Sequence, residues 1–216
     1  MEDSSSKEQI LDAAQRLFAA QGFPGTTIKQ IGLAAGVNTA LLYYYFEDKE
    51  RLYRSVLDRL MRQLVGRTLA GLQTNASPSD RIRSFIQAQV ETFVTNPELP
   101  RLFMREMLDH DAAHAVEQIQ HLAATSFKGL CAAIEEGQKR GIFRTDLDPK
   151  FAAISTVGQV VYFFALRPAV RILLDTGKDV PREMVQRFAR HAADFALAAL
   201  SSGSDLTPGT HKRRKS

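Results

Sequence analysis

Cysteine is almost missing from this chain: Cys131 stands alone among 216 residues. One thiol excludes an internal disulfide framework and fits a reducing compartment. No apolar run is long enough to span a membrane. The N-terminal stretch MEDSSSKEQ is polar and acidic, unlike a signal peptide. These absences point to a soluble cytoplasmic protein with no membrane partner. A Gly-rich phosphate loop, a nucleophile in a recognisable setting and a paired-carboxylate motif are also missing. No catalytic residue and no cofactor are therefore expected. No segment repeats and no stretch alternates at the strand period, so the expected class is all-α.

Excess charge is scarce where it would be most informative. The net charge is +4, and Lys212, Arg213, Arg214 and Lys215 account for all of it. Residues 1–60 hold seven Lys or Arg against eight Asp or Glu. Any attraction for a polyanion must then be local, from Lys29, Lys49 and helix N-termini.

What is present is helical periodicity. Ser5-x-x-Glu8 reads as a capping box for a first helix with the stripe Ile10, Ala13, Ala14, Leu17 and Phe18, closed by Gly22. Phe23-Pro24-Gly25 is a turn. The stretch Thr26 to Lys49 then carries two short helical patterns. Thr27 and Gln30 form a capping box, Ile28, Ile31 and Ala35 face inward, and Gly36 supplies a left-handed end. Asn38 is a good N-cap for the second pattern, in which Leu42 and Phe46 point inward with Val37. Thr39, Ala40, Tyr43 and Tyr44 fall on the opposite face. Two short helices joined by a tight Gly turn predict a helix-turn-helix, whose second helix enters the major groove of DNA.

Asp48 caps a long helix to about Gln73, with Leu52, Tyr53, Val56, Leu60 and Leu64 inward. Thr74 to Pro78 marks the clearest boundary. Four regions follow: a helix-turn-helix unit over 1–47, a linker helix over 48–74, a helical domain over 75–201, and a disordered basic tail over 202–216. In the third region, helices are expected from Pro78 or Ser79 to Asn96, from Pro100, from about Asp111 to Arg140, from Pro149 onward, and from about Arg182 to Leu200. The segments 151–174 and 182–200 carry more apolar surface than one side needs.

The run Ile10 to Leu52 resembles the N-terminal domain of the TetR family of transcriptional regulators. The residues that carry the likeness are Ala13-Ala14, Leu17-Phe18, Gly22-Phe23, Thr26-Thr27, Ile31, Ala34-Ala35-Gly36-Val37, Leu42-Tyr43, Tyr45-Phe46, Lys49-Glu50 and Leu52. The resemblance implies a repressor that binds a double-stranded DNA operator as a homodimer through helices 151–174 and 182–200. It also implies release by a small-molecule effector, and it assigns effector binding and dimerisation to the helical domain over 75–201. It places Tyr43 and Lys49 on DNA phosphates. An activator, a regulator without a small ligand, and a helical metal-binding protein or enzyme are the alternatives.

The expected DNA contacts are Thr27, Asn38, Thr39, Ala40, Leu41, Tyr43, Tyr44, Tyr45 and Lys49. Thr27 and Asn38 are structural if they serve only as caps, and Tyr45 is structural if it packs between core and surface. Lys49 has no capping role in this reading. Residues 39–41 depart from the family pattern: Thr39 can donate to a base edge, Ala40 can touch a thymine methyl, and Leu41 loses a polar contact.

For an effector pocket the candidates are Phe103, Met104, Met107, Phe127, Leu130, Gln159, Tyr162 and Phe163, several of which must simply fill the core. Arg167 stands with Gln159 and Tyr162 as a polar group on an apolar helix. His110, His114, Glu117 and His121 share a helical stripe, read as a solvated face and not as a metal site. Cys131 reads as a buried structural thiol.

Overall fold

The computed structural model describes residues 2–201, which fold into eleven α-helices. The basic tail lies outside the described residues. Helix α1 spans Glu2–Gly25, α2 Ile28–Ala35, α3 Thr39–Phe46 and α4 Lys49–Leu72. Helix α1 starts earlier than expected. Ser5 and Glu8 lie inside it, so they do not form its capping box. Gly22 breaks the helical path at φ 76°, a conformation that costs a glycine little. The Thr26 hydroxyl donates to the Gly22 carbonyl at 2.8 Å and fixes the exit of the chain.

Helix α4 follows its expected stripe, burying Leu52, Tyr53, Val56, Leu60 and Leu64. Asp48 caps it by accepting from the Arg51 amide at 2.7 Å. Helix α5, Pro78–Thr95, has Ser77 as its cap and Pro78 in its first turn, where the missing N–H is no loss. It shares its most extensive interface with α4.

Three boundaries differ from the sequence expectation. Helix α6 spans Glu98–His110, with Pro100 inside its first turn and not at its start. Asp111 and Ala112, at φ 49° and 64°, end that helix. The long helix expected from Asp111 therefore begins only at Val116. It runs as α7, Val116–Leu122, through a π turn over Ala123–Phe127, into α8, Lys128–Lys139. The segment 151–174 is not one helix. Helix α9, Pro149–Ala165, and α10, Arg167–Leu173, meet at an 84° bend. Pro168 lacks the amide that would continue the ladder, and its ring opposes the carbonyl four residues back. Helix α11 spans Arg182–Leu200 and packs on α5 and α9.

A continuous core runs from Ile10 in α1 to Leu200 in α11. Among the described residues there is no strand. One antiparallel bridge joins Phe143 to Ser201, and the Arg144 amide donates to the Leu200 carbonyl at 2.9 Å. No single helix is long and apolar enough to cross a membrane among the described residues.

Candidate nucleic-acid interface and interior cavity

Helices α2 and α3 are set by their caps. The Thr27 side chain accepts from the Gln30 amide at 3.2 Å, and the Gln30 side chain accepts from the Thr27 amide at 2.8 Å. The box uses two of the first-turn donors, leaving those of Ile28 and Lys29 for a ligand. Asn38 accepts from the Ala40 amide at 3.0 Å. Gly36 ends α2 at φ 69°, as its position predicts. Gly32 was not singled out in the sequence. A Cβ there would stand 3.1 Å from the Val37 carbonyl, so this glycine permits the close turn between the helices.

With Ile31, Leu42 and Phe46 buried, the opposite face of the pair is bare. Tyr43 is 55% exposed and Tyr44 74% exposed. Ala40 is exposed, while Thr39, Leu41 and Tyr45 are half-buried. The Tyr45 ring meets Tyr44 edge-on at 5.2 Å and Phe46 at 6.2 Å, so it bridges core and surface. Leu33 on α2 is 85% exposed on the turn side of the motif and was missed in the sequence. Its position out of phase with Ile28, Ile31 and Ala35 was the available signal.

Lys49 requires a correction. Its ammonium donates to the Phe23 carbonyl at 2.9 Å and to the Thr26 carbonyl at 3.1 Å. It also sits 4.3 Å over the Phe23 ring. It therefore caps the end of α1, a role the sequence reading denied it. One of its three N–H groups is left over.

Behind the motif lies a buried polar seam. Glu106 of α6 is fully buried. One carboxylate oxygen accepts from the Tyr53 hydroxyl at 3.0 Å, and the other accepts from the His114 amide at 2.7 Å. The His114 ring nitrogen Nδ1 lies 3.2 Å from both oxygens. Phe23 and Tyr53 pack their rings 5.0 Å apart beside it. Burial first, and then the Glu106 charge, pushes the Tyr53 hydroxyl far above its ordinary range. His114 is thus a seam residue and not part of a solvated histidine face. Among the described residues no cluster of three metal-ligating side chains occurs.

A cavity of about 140 Å³ lies between α4, α5, α6, the π turn and α9. Of the expected residues, Phe103, Met104 and Phe127 line it. Met107, Leu130, Gln159, Tyr162 and Phe163 do not. Met107 packs on the core and Leu130 is fully buried within it. Gln159 donates to the Ala192 carbonyl of α11 at 3.1 Å. Tyr162 is exposed, and Phe163 stacks on Phe188 at 3.8 Å. Helix α9 is apolar nearly all round, so its periodicity does not say which face meets the cavity; Val157 and Val161 do. Arg167 pairs with Asp179 at 2.8 Å. Cys131 is buried as expected, and desolvation raises its thiol above the usual range.

The polar groups of the cavity were missed: Thr68, Gln89 and Ser126. Two carried a signal. Gln89 sits four residues from both Phe85 and Phe93, and Thr68 four from both Leu64 and Leu72. Each is a polar residue on an inward stripe.

Two family profiles match this chain. One is described as bacterial regulatory proteins, tetR family, over residues 10–56, and the other as Tetracyclin repressor-like, C-terminal domain, over 78–195. The chain belongs to the TetR family. Its DNA-binding and transcription-regulating character follows from that membership. The chain is similar to the HTH-type transcriptional repressor NicS of Pseudomonas putida, 32% identical over 163 residues, 74% of this chain and 75% of that one. It is also similar to the HTH-type transcriptional repressor SCO4008 of Streptomyces coelicolor, 28% identical over 197 residues, 88% and 96% of the two chains. A crystal structure of a bacterial regulatory protein in the tetR family from Rhodococcus RHA1 shares the fold, with a TM-score of 0.76, 20% identity and coverage of 91% and 97%. The two profiles cover residues 10–56 and 78–195, so family membership accounts for the C-terminal helices as well as for the motif.

Proposed function

We propose that this TetR-family protein is a homodimeric cytoplasmic repressor, released from a two-fold operator by a small molecule in the interior cavity. The bare face of α3 carries the reading: Tyr43 and Tyr44 stand exposed on a helix whose Leu42 and Phe46 are buried. A phenol hydroxyl on a rigid ring suits a phosphate oxygen, while Thr39 and Ala40 address base edges. Thr27, Asn38 and the remaining N–H of Lys49 add donors at helix starts. Repression is supported by relatives named as repressors.

Dimerisation is supported by apolar side chains of α9 and α11 that have no cover within one protomer: Phe151, Ile154, Tyr162 and Phe195. Two copies then present two α3 helices, with half-site centres about 34–36 Å apart or somewhat more. The test is footprinting on DNA flanking the protein's own gene. Two-fold-related protection that disappears on adding an effector supports the reading. Protection without two-fold symmetry overturns the dimeric form of it.

A further inference from the structure

The cavity states what kind of molecule fits it. Its volume of about 140 Å³ is close to the roughly 150 Å³ of an apolar protein cavity that takes up benzene. One six-membered ring with a small substituent fills it. The walls are aromatic and thioether groups, including Phe85, Phe103, Phe127 and Met104, which suit a ring face and edge.

The polar groups add a direction. Gln89 is 2% exposed, and its carbonyl oxygen Oε1 has no hydrogen-bond partner among the described residues. A buried acceptor without a donor is an unusual state, and a bound donor relieves it. Thr68 and Ser126 do not supply one. Their hydroxyls lie 2.9 Å apart, with the Leu64 carbonyl 2.7 Å from Thr68 and the Val65 carbonyl 3.3 Å from Ser126. Two protons already face internal acceptors, so neither hydroxyl is free to donate to Gln89 Oε1. Among the described residues no Lys, Arg or His lines it. A carboxylate inside would be a buried charge without a partner.

We infer that the cavity takes a small neutral aromatic molecule bearing one O–H or N–H donor, a phenol in chemical class, with that donor on Gln89 Oε1. This deepens the reading of the cavity as the effector site and rests on it.

The test uses the full chain and three probes of one size class: phenol, toluene and benzoate. Calorimetric titration of wild type should show phenol bound at least about tenfold more tightly than toluene, and benzoate not bound. In Gln89→Leu the preference for phenol over toluene should vanish. Equal affinity for phenol and toluene in wild type overturns the inference, as does binding of benzoate or of no probe. The wild-type comparison stands even if Gln89→Leu does not fold; Gln89→Met is the second variant. Operator titration separates the two readings. Phenol that binds with the stated preference but leaves operator affinity unchanged supports the ligand class and sinks effector release. Release by a carboxylate alone, with phenol unbound, does the reverse.

Discussion

Lys49 shows how one residue serves the fold and the DNA face at once. Two of its hydrogens hold the Phe23 and Thr26 carbonyls. Lys49→Ala should therefore cost about 1.5 kcal/mol of stability, seen as a lower denaturation midpoint. It should also flatten the salt dependence of operator binding by about one unit, through the third hydrogen. Reduced stability with an unchanged salt slope would assign the ammonium to the fold alone. Tyr43→Phe isolates the opposite case, since the ring stays and only an exposed hydroxyl goes. Operator affinity should fall by about tenfold with no change in melting; an unchanged affinity would remove Tyr43 from the contacts. Tyr53 gives a pH effect. Its hydroxyl is held above its unfolded value near 10, so folding binds a proton that the unfolded chain releases there. The contribution is complete below that pH and is lost as pH rises above it. Wild type should lose stability on alkaline titration more steeply than Tyr53→Phe, which has no proton to release.

Among the elements, α2 to α4 were legible because their signals are local. Thr27 with Gln30, Gly36, Asn38 and Asp48 each fix a helix end within four residues. The later boundaries depend on backbone signs that residue type hardly declares, such as the left-handed Asp111 and Ala112. The cavity was least legible, because which side of α9 faces it depends on packing against α5 and α6. Helix α8 contains a case that the sequence gave no reason to notice. A Cβ on Gly137 would fall 2.0 Å from the Phe143 ring, which is itself buried. Gly137→Ala should destabilise by about 1–3 kcal/mol through overpacking, despite the higher helix propensity of alanine. A melting temperature equal to or above that of wild type would show that Phe143 can move aside.

At the scale of the molecule, the apolar faces of α9 and α11 predict assembly. Phe151→Glu on the exposed face should leave the protomer folded, since that ring is 70% exposed in one copy. Sedimentation should show a monomer, and operator affinity should fall with the lost second half-site. A dimer that survives this change would place the interface elsewhere. Helix α6 has a role that spans the whole protein. Phe103 and Met104 stand at the cavity wall, and Glu106, two residues further along, grips Tyr53 beside α1. Two residues of helix advance only about 3 Å, so the cavity wall and the buried polar seam share one stretch of backbone. Coupling through such a stretch is reciprocal. Whatever factor a guest takes from operator affinity, the operator must take from guest affinity. In a cell, the copies seated on DNA would then be the last to fill, and a weakly bound second site elsewhere on the chromosome would empty before a strong one as the guest accumulates.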